Sequence, residues 1–405
     1  MLKTMVGDDH AQYEDVKVGQ GRVIHMRKND RIALNEKTKE VYFTCNQSLS
    51  SCFGGSETYI QFEVEPSGID KIHDIFLYLN ITNTLAAGNS TGTLLLPTFW
   101  FFNRCEIYCA GVHLFTKYPE PNLLETVIDK ADNFFIINAS ALNVGSSLNT
   151  LSYSTPSTAL TASTRNFFIP IMDEFEQSKI PISLCKKLIY KFYLPAGANI
   201  QTTTADTITL NNAQLYIKYS ENDPLQTALL RRGHTKPKVF PIVDYDYFQK
   251  TYSSTTANTR IIEQLQNGKG SIAGLLFFHR RIGNAYTQSY NAITDMSILD
   301  DQNAPVGVRN YPMVLFTKDQ SELFPDTRIF ASLNLYFKSY CAHPEMTLKT
   351  SADTGSMDFS DNFKIEFNPS TTAYSSELVV YSYKYAYLTV YPNGNIEITR
   401  EPTSS

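Results

Sequence analysis

One tryptophan in 405 residues, and a charged share (Asp, Glu, Lys, Arg) of only 19%, are the first scarcities of this sequence. Soluble domains usually carry about 25% charged residues. Low charge with 42% hydrophobic content excludes a disordered chain. It also excludes a coiled coil or helical repeat, which needs far more Ala, Glu, Lys, Leu and Arg. A net charge of −5 argues against a protein that coats nucleic acid, and no sequence-specific nucleic-acid binding is expected. Long apolar runs are missing too. Residues 93–102 (TLLLPTFWFF) form the longest, interrupted by Pro97, against the ~20 residues needed to span a bilayer. The first residues, MLKTMVGDDHAQYEDV, lack an apolar core with a small-residue cleavage site, so no signal peptide is expected and the chain reads as not secreted.

Cysteine is sparse. Cys45, Cys52, Cys105, Cys109, Cys185 and Cys341 form neither a zinc spacing nor a dense disulfide framework. In RCEIYCAG, read as a strand, Cys105 and Cys109 share a face about 13 Å apart, too far to bridge. All six read as free thiols of a chain made in a reducing cytoplasm.

Catalytic constellations are absent as well. There is no Gly-x-Ser-x-Gly elbow. Residues 267–271 (NGKGS) fail as a phosphate loop, because Glu263 stands at the first glycine position and Gly270 follows the lysine. The seven histidines (His10, His25, His73, His113, His234, His279, His343) make no ligand pair, and no metal or cofactor is expected. His73 and His279 sit in apolar strand patterns and read as satisfied core residues. Asp244 with Asp246, Asp300 with Asp301, and Asp353, Asp358 and Asp361 fit no calcium-loop spacing and read as solvated loop carboxylates. Asn46, Asn80, Asn89 and Asn138 begin sequons that carry little weight without a signal peptide.

What is abundant is alternation, with 25 Tyr and 25 Phe to fill it. Ile60, Phe62 and Val64 share one face of YIQFEVE. Ile75, Leu77, Leu79 and Ile81 do so in DIFLYLNIT. The period of two recurs at Leu188, Tyr190, Phe192 and Leu194, and at Ala213, Leu215 and Ile217. It returns at Ile329, Ala331, Leu333, Leu335 and Phe337, and at Phe363, Ile365 and Phe367. This is the mark of half-buried antiparallel strands. Between Val390 and Ile396, Asn393-Gly394 predicts a type I′ hairpin.

Two segments read as helix. Residues 122–134 carry Asn122 as N-cap, Glu125 three positions on, and an apolar stripe of Leu123, Leu124, Val127, Ile128 and Ala131. Residues 223–232 have Asp223 as cap, Pro224 at the first helical position and Gly233 past the end. The expected organisation is an N-terminal arm at 1–40, a first β domain at 41–222, a helical linker at 223–238 and a second β domain at 239–405. Ser/Thr/Asn-rich stretches at 138–164, 202–207 and 253–259 read as surface loops.

Two features remain. Residues 17–39 hold seven cations, Lys17, Arg22, Arg27, Lys28, Arg31, Lys37 and Lys39, against Asp30 and Glu36. That is an ordinary charged arm, or one facing an anionic partner. Tyr381, Tyr383, Tyr385 and Tyr387 share a strand face. They line the packing between two sheets or a protein–protein contact.

The order of elements resembles the double jelly-roll major capsid proteins of tailless icosahedral double-stranded DNA viruses. Residues 101–120 (FFNRCEIYCAGVHLFTKYPE), with the helix after them, resemble the first-domain strand pair and helix. Residues 166–200 resemble the proline-flanked apolar segments that lead into a core strand. Residues 271–281 (SIAGLLFFHRR) resemble a second-domain apolar strand. The resemblance implies an all-β chain of two consecutive eight-stranded antiparallel jelly rolls, with short helices in loops and linker. It implies a non-enzymatic major capsid protein, trimeric as a pseudo-hexagonal capsomer of an icosahedral shell and located in the virion capsid. Its partners would be its own copies, neighbouring capsomers, penton or minor capsid proteins and an internal membrane. The arm would lie beneath the tile and the Ser/Thr-rich loops on top. Two other readings stand beside it. One is a minor capsid or receptor-binding spike protein. The other is a carbohydrate-binding or glycoside-hydrolysing β-sandwich using Asp244 and Asp246, which the single Trp disfavours.

Overall fold

The structure is a computed structural model. It describes residues 5–6, 12–18, 22–27, 37–45, 49, 52–53, 58–66, 68–84, 92–95, 101–129, 157–160, 163–196, 207–221, 224–266, 269–282, 290–312, 334–359 and 362–400.

Alternating sequence makes two four-stranded sheets in the first half. The strands are β1 (Lys37–Thr44), β2 (Tyr59–Val64), β3 (Ile69–Thr84), β4 (Arg104–Cys109), β5 (Val112–Lys117), β6 (Ser163–Pro170), β7 (Leu188–Tyr193) and β8 (Thr207–Glu221). One sheet runs β6-β3-β8-β1 and the other β2-β7-β4-β5, all antiparallel. This interleaving is an eight-stranded jelly roll. Leu77, Leu79, Leu215 and Ile217 of one sheet meet Phe62, Ile107, Tyr190 and Phe192 of the other in a dry core.

The second half repeats the topology strand for strand. Its strands are β9 (Lys238–Thr255), β10 (Ile261–Gln264), β11 (Gly274–Arg281), β12 (Ile293–Leu299), β13 (Tyr311–Pro312), β14 (Tyr336–Ser339), β15 (Lys364–Pro369) and β16 (Ala373–Val390). The sheets run β9-β16-β11-β14 and β10-β15-β12-β13, and β17 (Ile396–Arg400) adds to β16. In β11 and β16 the sequence does not alternate. Leu275, Leu276, Phe277 and Phe278 are all buried, as are Leu378, Val379, Val380 and Tyr381. Near-continuous apolar runs mean a sheet covered on both faces. Leu275, Phe277, Leu378 and Val380 point into the sandwich. Leu276, Phe278, Val379 and Tyr381 point the other way, into a separate core shared with the first half.

Several expectations change in detail. The first roll starts at Lys37, inside the expected arm, because β1 pairs Lys37 with Glu221 of β8. The arm itself contains a three-stranded antiparallel sheet of Met5–Val6, Gln12–Val18 and Arg22–Arg27. Helix α1 spans Pro119–Asp129, starting three residues before the expected Asn122, and residues 130–134 of the expected helix lie outside the described residues. Pro119 takes the first helical position, and the Asn122 amide is no cap. It donates to Pro170 O (2.8 Å) and accepts from Met172 N (2.9 Å), both buried. A short helix α2 (Glu174–Gln177) follows β6. The linker helix α3 (Pro224–Gly233) includes Gly233, and Asp223 lies outside the described residues. Helix α4 covers Pro344–Thr350. The β16–β17 connection is not type I′. Gly394 N donates to Tyr391 O (2.8 Å), which places Pro392 and Asn393 at the centre of the turn, and of the Asn-Gly pair only Gly394 has positive φ, at 80°. Proline fixes φ near −65°, which suits the position after Tyr391 in an ordinary turn and forbids the mirror-image one.

Strand direction sorts the loops. β1 begins, β8 ends, and the β2–β3, β4–β5 and β6–β7 connections all lie at one end of the first roll. The arm and α3 join there. The β1–β2, β3–β4 and β7–β8 connections, and the β6 side of the α1–β6 connection, lie at the opposite end. Two of the three Ser/Thr/Asn-rich stretches, 138–164 and 202–207, enter strands at that opposite end.

Candidate assembly surfaces and the inter-roll junction

Helix α1 leaves β5 and crosses to the second roll. Its Leu123 and Leu124, with Tyr118 just before it, pack on the outward face of the β9-β16-β11-β14 sheet, against Val243, Tyr245, Phe278 and Val379. Tyr118 stacks on Tyr247, with ring centres 4.8 Å apart, and its backbone N–H donates to the Tyr245 hydroxyl at 3.0 Å. Tyr245 in turn donates to Thr116 O at 2.9 Å.

The tyrosine row divides by depth. Tyr381 and Tyr383 are buried in this junction. They do not lie between the two sheets of their own sandwich, where Leu378 and Val380 stand instead. The parity of the strand points them at the first roll. Tyr385 is half-buried and donates to Gly355 O at 2.9 Å. Tyr387 is 39% exposed.

Charge is buried in the same junction. Lys117 sits in phase with Phe115, on the core side of β5, and is 1% exposed. Its ammonium contacts Glu174 at 2.8 Å and Glu125 at 3.3 Å. One cation cannot neutralise two carboxylates, and desolvation pushes Glu174 up to about 8 and raises Glu125. Asp173 caps α2, accepts from Tyr190 at 2.6 Å, and is likewise raised by burial. Nearby, Glu120 in the first turn of α1 accepts from Tyr290 (2.9 Å), Tyr381 (3.1 Å) and Arg280 (3.2 Å), and Arg280 also pairs with Glu377. Of these residues the sequence singled out Tyr381, and read Glu125 as part of a capping box and Tyr190 as a core strand position; it did not single out Lys117, Glu120, Asp173, Glu174 or Arg280. A lysine in phase with the core face of a strand was the available signal.

The first roll presents the counterpart face differently. On the outside of the β6-β3-β8-β1 sheet, Tyr42, Tyr216 and Phe76 form a row with ring centres 5.0 and 5.8 Å apart. Tyr78 and Phe168 pair beside them at 5.0 Å. Tyr42 is 53% and Phe168 37% exposed, and among the described residues no helix covers this face. Asn80, Asn166 and Asn211 link their amides along it.

Other predicted residues are placed as follows. Lys17, Arg22 and Arg27 lie on the arm hairpin, where Lys17 is opposite Val23, Arg22 opposite Val18 and Arg27 opposite Tyr13. Lys28 and Arg31 fall outside the described residues. Asp244 and Asp246 are not a free carboxylate pair or loop groups. They stand on β9, bridged by Arg400 at 2.9 and 2.7 Å, and Lys384 holds Asp246 at 2.8 Å. Asp300 closes its own loop by accepting from Ala304 N at 2.7 Å. Among the described residues no cluster of His, Cys, Asp or Glu could hold a metal. His279 is buried as expected, but its ring nitrogens find no protein partner. Desolvation pulls it down to about 4, so the ring is neutral between Tyr252 and Phe367. All six cysteines are free, and no described helix is long and apolar enough to cross a membrane.

No protein-family model and no curated protein matches this sequence. Solved structures do match. The PBCV-1 protein VP54, in a crystal structure fitted into a reconstruction of the virophage Sputnik, is 14% identical with a TM-score of 0.60. That match covers 91% of this chain and 97% of the other. The Faustovirus major capsid protein is 11% identical with a TM-score of 0.57, over 87% of this chain and 90% of its own. The mavirus major capsid protein is 12% identical with a TM-score of 0.52, over 89% and 90%. These likenesses span both rolls, and the fold is the double jelly roll.

Proposed function

We propose that this chain is a major capsid protein, located in the virion capsid, whose homotrimer forms a pseudo-hexagonal capsomer of an icosahedral shell. The observation that carries this reading is the inequality of two equivalent faces. In the second roll, the outer face of the β9-β16-β11-β14 sheet is covered by α1 of the first roll. In the first roll, the equivalent face carries exposed Tyr42, Phe168 and their aromatic neighbours. If each second roll covers the first roll of the next copy as the first roll covers the second within a chain, the contact is head-to-tail. Such a contact generates a ring where the rotation between copies closes. Three copies give six rolls of one topology, and an aromatic side face whose charges are already paired, as in Asp74 with Lys218, suits burial against another copy. The shared fold with viral major capsid proteins supports the same reading.

In this arrangement the arm end of the first roll faces the particle interior, toward an internal membrane or other capsid components such as penton and minor proteins. Synthesis is cytoplasmic. No catalytic role is assigned, because the paired Asp244 and Asp246 are held by Arg400. The test is the mass of the purified chain in solution by light scattering, with negative-stain imaging. A trimer with six-lobed outline is expected. A chain that stays monomeric at all concentrations overturns the proposal.

A further inference from the structure

At the arm end of the first roll, the β16–β17 hairpin of the second half docks on the segment between α2 and β7. Lys186 N donates to Gly394 O at 3.0 Å. Beside this contact lies a cleft of about 650 Å³, within the size range of small-ligand sites. Its walls come from the β2–β3 turn, the α2–β7 segment, the end of α3 and the hairpin tip.

The cleft is cationic. Lys187 is matched by Glu63 and Glu65. Lys186 and Arg231 are not matched by any described carboxylate. Arg231 uses Nε to hold Ser183 O at 3.0 Å, which fixes its guanidinium at the rim. His234, in the wall, is only 4% exposed, and neither Nδ1 nor Nε2 has a partner. Burying a polar ring without partners is unfavourable, and such orphan groups mark a missing ligand, ion or water. Leu184, Pro66 and Pro392 supply apolar wall between these groups.

We propose that this cleft binds a phosphate group. A phosphate offers several acceptor oxygens to one guanidinium fork, one ammonium and one imidazole N–H, which are the donors present. The apolar wall accommodates whatever carries the phosphate. A free polyphosphate and an anionic lipid headgroup share this chemistry. The site does not depend on assembly into trimers.

The test is calorimetric titration of the full chain with inorganic pyrophosphate, with dihexanoyl phosphatidic acid, and with dihexanoyl phosphatidylcholine as a net-neutral control. Binding of at least one of the two anions is expected, weakening as salt is raised. Lys186→Glu and Arg231→Glu change exposed side chains and should each reduce affinity about tenfold or more. His234→Phe should do the same where its melting curve shows it folded, and Lys250→Ala, far from the cleft, should not. Tighter binding of phosphatidic acid assigns the site to a lipid headgroup, and tighter binding of pyrophosphate to a free polyphosphate. Binding of neither anion overturns the proposal. So does binding unchanged in Lys186→Glu and Arg231→Glu.

Discussion

Tyr381 donates its hydroxyl to Glu120 across 261 positions of sequence, at 3.1 Å and buried on both sides. The bond joins the last long strand of the second roll to the first turn of a helix from the first. Removing the donor alone in Tyr381→Phe leaves Glu120 with Tyr290 and Arg280, so a loss of about 1–2 kcal/mol is expected. Glu120→Ala removes the carboxylate that Tyr290, Tyr381 and Arg280 share, and a loss of about 3 kcal/mol or more is expected. Urea denaturation of both variants measures the order. Equal effects would mean that the carboxylate is not shared.

The carboxylates around Lys117 make stability depend on pH. Burial holds Glu174 at about 8 in the folded chain against 4.5 in the open chain. The folded state therefore binds more protons in that window. Its stabilisation is complete below about 4.5 and is lost as pH rises through 8. His279 acts in the opposite sense, because its folded value near 4 lies below 6.5. Its stabilisation is present above 6.5 and lost as pH falls toward 4. Between 6.5 and 8 the carboxylates dominate. Melting temperature is expected to fall by several degrees across that range and to fall less in Glu174→Gln.

Gly394 has φ of 80°, and a Cβ there would sit 3.2 Å from Leu184 O. Gly394→Val is expected to lose about 2–3 kcal/mol by strain and by loosening the hairpin from the first roll. Limited proteolysis should cut near residues 391–395 in the variant before the wild type.

The exposed aromatic face is expected to govern association and not folding. Tyr42→Glu with Phe168→Glu should keep the wild-type circular dichroism and melting temperature while shifting the trimer to monomer. Unchanged mass would remove this face from the interface.

The arm is expected to act after folding. Deletion of residues 1–30 leaves β1 intact, since β1 begins at Lys37. The truncated chain should still form trimers but fail in shell or membrane association, measured by particle yield and vesicle flotation. Normal particles would leave Lys17, Arg22, Arg27 and Lys28 without that role.

Much of the first roll was legible in sequence. Ile60, Phe62 and Val64, or Leu188, Tyr190 and Phe192, alternate with polar residues because one face meets the core and the other meets solvent. The second roll was harder to read for a physical reason. Leu275 to Phe278 and Leu378 to Tyr381 lack alternation because both faces are covered, and periodicity cannot say by what. Helix α1 was found but displaced, since Asn122 resembles a cap while its amide is committed to Pro170 and Met172.

The sequence by itself determined an all-β chain of two sandwiches, a basic arm, and a Tyr-rich, charge-poor composition. These follow from local periodicity and composition. Tertiary structure alone decided which tyrosines are packing residues, because strand parity names a face but not its neighbour. It also brought Glu120 to Tyr381, Lys117 to Glu174, and Gly394 to Lys186. Each of these pairs depends on how chain segments cross in space, and no local pattern records that.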